Sequence, residues 1–121
     1  MTHRDLADIE HILEAIKDIE ESTRKSSFKD FENSKDSKDA CIRRLEIIGE
    51  AVKNMSQETK NKYPKTEWKQ IAGTRDRIIH AYFDVDLDIV WDILTKNLSI
   101  LKKEMLVIEK ALKVYNYSER D

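Results

Sequence analysis

"LDIVWDILTKNLSILKKEMLVIEKALKVY", Leu87 to Tyr115, decides the fold. Leu87, Trp91, Leu94, Leu98, Leu101, Met105, Ile108, Leu112 and Tyr115 recur at alternating spacings of four and three, the repeat of one face of an α-helix. At 1.5 Å per residue, a helix of about 30 residues runs roughly 45 Å, long enough to span a small domain. Ile93, Ile100, Val107 and Val114 form a second row beside the first. The apolar face is then wider than a two-stranded coiled-coil seam, which predicts a bundle core. Asp84 or Asp86 stands where an N-cap would begin this helix.

The same periodicity marks the rest of the chain. Leu6, Ile9, Leu13 and Ile16, widened by Ile12 and Ile19, predict an amphipathic helix over about Asp5 to Arg24. Cys41, Leu45, Ile48, Val52 and Met55 predict a second over about Lys38 to Asn54. Gly49 lies beside that stripe, and glycine inside a helix costs roughly 1 kcal/mol against alanine, so its expected use is the close approach of another helix. Between these, "KSSFKDFENSKDSK" is a connector in which Phe28 and Phe31 anchor one short turn. "SQETKNKYPKTEW" is a short turn or helix closed by Pro64, with Thr66 placed to cap a third long helix.

Two glycines and one proline leave little material for hairpins. The 121 residues suit one domain, expected to occupy 1–121 as an all-α, antiparallel bundle of four to five helices. A formal net charge of −2 excludes a uniformly basic nucleic-acid binder and leaves only a local patch for that work. Cys41, the single cysteine, reads as an inert core thiol. "MTHRDLADIE" has neither the basic start nor the apolar run of a signal peptide, and no segment has the roughly 20 apolar residues of a membrane span. A cytoplasmic protein with no membrane association is expected.

One stretch does not suit a scaffold: "GTRDRIIHAYFDVD", Gly73 to Asp86. On a single helical wheel Trp68, Ile71, Ala72, Ile78, Ile79, Tyr82 and Phe83 fall within about 80° of Arg75, so a guanidinium sits central in an apolar stripe. Arginine stays charged when buried and needs an anion or a wet cleft. Glu46 and Glu50 on the neighbouring helix are the candidate partners in a purely structural reading. Asp76 and His80 lie at the stripe's rim, one turn apart.

RNA phosphodiester cleavage needs a group to take the 2′-hydroxyl proton, a group to protonate the leaving oxygen, and a cation for the phosphorane. His80 suits either proton task and Arg75 the phosphate. The two are about 140° apart on one helix, and two copies facing across a dimer axis would bring two of each around one cleft. Neither the scattered histidines nor "DVDLD", Asp84 to Asp88, has the pattern of a metal site, and no phosphate-cradling glycine loop is present, so no metal or cofactor is expected. Lys102, Lys103, Arg43 and Arg44 read as solvated faces.

Arg75, four residues, His80, one residue, Tyr82 resembles the motif of the HepT toxins of the HEPN superfamily, found in HepT/MntA toxin–antitoxin systems. The likeness extends through "RRLEIIGEAVKNMS", Arg43 to Ser56, and "YPKTEWKQIAGTRDRIIHAYFDVDLDIVWDI", Tyr63 to Ile93. It implies a metal-independent endoribonuclease, homodimeric, with Arg75, Asp76 and His80 catalytic. It further implies that Tyr82 is the acceptor of AMP from a cognate MntA-like nucleotidyltransferase antitoxin. An aspartate four residues before His80 favours the imidazolium. Two other readings stay open: a non-catalytic HEPN module that partners or regulates a nucleotidyltransferase, and a plain helical dimerisation domain.

Overall fold

Side-chain caps and apolar periodicity set the elements of the computed structural model, which describes residues 3–74, 76 and 87–119. Every regular element among them is helical: α1 His3–Thr23, α2 Phe28–Asn33, α3 Lys35–Asn54, α4 Gln57–Lys62, α5 Trp68–Ala72, α6 Leu87–Asp92, a π-helical turn Ile93–Asn97, and α7 Leu98–Glu119. Ser27 and Asp30 close a capping box on α2, each accepting the other's backbone N–H at 3.1 Å. Ser34 caps α3, and Ser56 caps α4. Because these serines start helices within the two connectors, the described residues contain six helical segments, counting α6 through α7 as one rod, where four to five were expected.

Hydrogen bonds near both ends hold α1 and α3 antiparallel. The Ser56 N–H donates to Asp5 Oδ1 at 2.9 Å, and Arg44 donates to Ser22 Oγ at 3.0 Å. Lys102 pairs with Glu20 at 2.9 Å, and Trp91 packs on Phe31 and Phe28 just beyond α1, with ring centroids 5.3 and 6.2 Å apart. The α6–α7 rod therefore also runs antiparallel to α1. The predicted core rows are buried at Ile9, Ile12, Ile16 and Ile19 on α1, Cys41, Leu45, Ile48, Val52 and Met55 on and just after α3, and Leu87, Leu94, Leu98, Leu101, Met105, Ile108 and Leu112 on the rod, whereas Leu6, Leu13 and Trp91 are partly buried and Tyr115 is exposed. Burial pushes the Cys41 thiol above its usual range, as expected of an inert core cysteine.

Three expectations are corrected. Of the second row on the rod only Ile93 is buried; Ile100, Val107 and Val114 are 64%, 62% and 62% exposed, because the first row alone fills the contact with α1. Thr66 caps nothing: it is buried and donates to Glu104 on α7 at 3.1 Å, while Glu67 stands at the α5 N-cap without a side-chain hydrogen bond. The third long helix is broken, since α5 ends at Ala72 and Gly73 forms its C-cap with φ −86° and ψ 2°. The single wheel carried from Trp68 through Phe83 is interrupted there. The candidate caps Asp84 and Asp86 lie outside the described residues.

The π-helical turn leaves the rod continuous. The Leu98 N–H donates to the Ile93 carbonyl, five residues back, and both flanking residues keep right-handed helical angles. Among the described residues no helix is long and apolar enough to cross a membrane.

Candidate functional site

The chain enters the motif from a helix seated directly on α3. A Cβ on Gly49 would lie 3.4 Å from the carbonyl oxygens of both Ala72 and Ile71, the last residues of α5. The missing side chain lets α5 come down on α3, as the sequence led us to expect. Gly73 follows, and Thr74 donates to the Gln70 carbonyl at 3.0 Å. Asp76 is exposed. Arg75, His80 and Tyr82 lie outside the described residues.

Glu46 and Glu50 stand on α3 on the other side of Gly49 from the core. Glu46 is half-buried and pairs with Arg43 on its own helix at 3.7 Å, whereas Glu50 is exposed. Both line a groove between α1 and α3, together with Asp8, His11 and Asn54. Of the other basic residues, Arg44 and Lys102 are engaged by Ser22 and Glu20, so they are less free than solvated faces, while Lys103 is exposed.

Sequence reasoning missed two acids at the start of α1. Stepping back from Ile12 by four and seven residues gives Asp8 and Asp5, which continue the buried stripe and are themselves buried. Asp5 Oδ2 accepts from Ser56 Oγ at 2.6 Å and Thr59 Oγ1 at 2.7 Å, and Oδ1 accepts from the Ser56 N–H. Burial pushes the Asp5 carboxyl up, but these donors together outweigh it and hold the pKa below the ordinary value. Asp8 moves the other way: burial raises it, Arg4 and His11 offset part of that, and the Asp5 charge adds to it. Asp8 Oδ2 has no hydrogen-bond partner. The signal available in the sequence was an acid standing in phase with an isoleucine stripe.

The ribonuclease HepT-like family matches residues 12–108, a span that contains Arg75, His80 and Tyr82. The chain belongs to this family. It is 46% identical over 104 residues to a Methanocaldococcus jannaschii protein named "Gamma-glutamylcyclotransferase and putative RNase", covering 86% of this chain and 47% of that one. It is 41% identical over 109 residues to the "Probable ribonuclease HepT" of Thermococcus cleftensis, covering 90% of this chain and 97% of the other. A Caldanaerobacter subterraneus protein named "Putative RNase" is 42% identical over 97 residues, 80% of this chain and 87% of its own length. The chain thus spans about half of the first relative and nearly all of the second. No solved structure matches significantly.

In this HepT-like chain a cavity of about 370 Å³ opens where the motif begins. Thr74, Gln70 and Ile71 line one wall, Leu45 and Ile48 the floor, and Asn97, from the π-helical turn, the far side. Thr74 is bonded to Arg75 in the chain, so this hollow adjoins the entry to the motif. Asn97 is exposed on that turn. Among the described residues no group of three or more histidines, cysteines or acids is placed to hold a metal ion.

Proposed function

We propose that this HepT-like chain is a metal-independent endoribonuclease of the cytoplasm, the toxin of a toxin–antitoxin pair, acting as a homodimer through a single HEPN domain. The observation that carries the reading is the family match over residues 12–108, spanning Arg75, His80 and Tyr82 at the motif's spacing. The names of the relatives, which describe ribonucleases, support the same reaction class.

In this reading Arg75 from each subunit holds the scissile phosphate in its guanidinium fork. One His80 takes the proton of the 2′-hydroxyl as its oxygen attacks phosphorus. The bond to the 5′ oxygen breaks, and that oxygen takes a proton from the partner's His80, leaving a 2′,3′-cyclic phosphate and a 5′-hydroxyl. Asp76, exposed and four residues before His80 in the chain, favours the imidazolium that serves as the acid. The exposed row Ile100, Val107 and Val114 supplies apolar surface for the second copy.

Control falls to Tyr82. Its phenolic oxygen attacks the α-phosphorus of ATP on a minimal nucleotidyltransferase partner, pyrophosphate leaves, and the phenol proton is lost. The attached AMP then adds negative charge to the motif that supplies Arg75 and repels RNA. Two measurements test the reading. RNA incubated with the chain in excess chelator yields fragments ending in 2′,3′-cyclic phosphate, and reaction with ATP and the partner adds the mass of one or more AMP units, lost in Tyr82→Phe. Intact RNA and an unchanged mass contradict it.

A further inference from the structure

We propose that the groove between α1 and α3 is a binding site for a guanidinium or alkylammonium group, received by Asp8 and Glu50. Asp8 is 8% exposed, lines this groove of about 380 Å³, and leaves Oδ2 without a hydrogen-bond partner. A buried carboxylate oxygen without a donor is costly, and native chains keep few of them without a use. Asp8 occupies a position in phase with the isoleucine stripe, where an apolar residue would pack at no such cost.

The charges around the groove select the ligand. Of its three carboxylates, Glu46 is balanced by Arg43 at 3.7 Å, which leaves Asp8 and Glu50. Among the described residues Glu50 has no ion-pair partner. Among the described residues the protein's cations do not make up the deficit: Arg4 and His11 act on Asp8 through space, yet burial still raises its pKa. An anion would meet two carboxylates that no described cation bridges, and a metal ion lacks a suitable ligand cluster among the described residues. A donor-only cation satisfies Asp8 Oδ2 and Glu50 together, in a groove that Asn54 and Ala51 also line. Such a group comes from a free polyamine or from an arginine or lysine side chain of a polypeptide.

The test titrates agmatine, spermidine and N-acetyl-arginine amide into the full chain while following the Asp8 carboxyl carbon by NMR. Saturable binding is expected, weakened at least about tenfold in Asp8→Asn, the scale of losing one charge-assisted hydrogen bond. A tighter fit for the two guanidinium probes assigns an arginine, and a tighter fit for spermidine assigns a polyamine. Should Asp8→Asn fail to fold, Glu50→Gln on the exposed rim decides, with a several-fold loss expected. No saturation by any probe, or affinity unchanged in the folded variant, overturns the proposal. The readout is ligand binding, followed separately from RNA cleavage.

Discussion

Gly49 and Ala72 meet backbone to backbone: a Cβ at Gly49 would stand 3.4 Å from the Ala72 carbonyl oxygen. This contact sets the height of α5 above α3, and the motif starts three residues after Ala72. A methyl group fits at the edge of ordinary contact, and alanine's helical advantage of about 1 kcal/mol offsets the crowding. Gly49→Ala is therefore expected within about 1 kcal/mol of wild type. Gly49→Leu has to lift α5 and is expected to lose about 1–3 kcal/mol in urea denaturation and to slow RNA cleavage along with it. Full activity and stability in the leucine variant would show that the contact does not position the site.

Asp5 ties α1 to the start of α4 through three donors on Ser56 and Thr59. Asp5→Ala strands those donors and is expected to cost about 2–4 kcal/mol at neutral pH. The sign with pH follows from the lowered pKa. The ionised form is favoured by folding, so the stabilisation is complete above the ordinary value of 3.8 and is lost as pH falls through the folded-state value below it. Urea midpoints of wild type and Asp5→Ala should converge below pH 3.8. A gap that is constant with pH would mean that the carboxylate charge is not what Ser56 and Thr59 stabilise.

Ile100, Val107 and Val114 recur every seven residues on the outer face of α7 and stay exposed in a single chain. In the proposed homodimer Val107→Glu is expected to shift the chain toward monomer in sedimentation by at least about tenfold in dissociation constant while leaving its helicity intact, since Val107 is 62% exposed. An unchanged dimer would move the subunit contact to another face.

How much of this was legible depends on what decides each feature. The rows Cys41 to Met55 and Leu87 to Leu112 are intrinsic periodicities, and Gly49 is a local exception with one sensible use, so both could be read directly. Which neighbour covers a row is a tertiary matter. Ile100, Val107 and Val114 have the right period yet face outward, and Thr66 prefers Glu104 across the fold to the cap beside it. Asp5 and Asp8 resemble the acids that any helix start favours through its dipole, which hid their burial. Glu46 and Glu50 were found as carboxylates one turn apart, but their proposed Arg75 partner lies outside the described residues, and Glu46 pairs with Arg43. The motif itself was legible as spacing alone.

The most direct measurement is cleavage of a labelled RNA, in excess chelator, by wild type, Arg75→Ala and His80→Ala at matched folding by circular dichroism. Each variant is expected to lose at least about a hundredfold in rate, the low end for removing an acid/base group or a phosphate clamp. Wild-type rates in both folded variants, or RNA left whole by the wild type itself, would contradict the account.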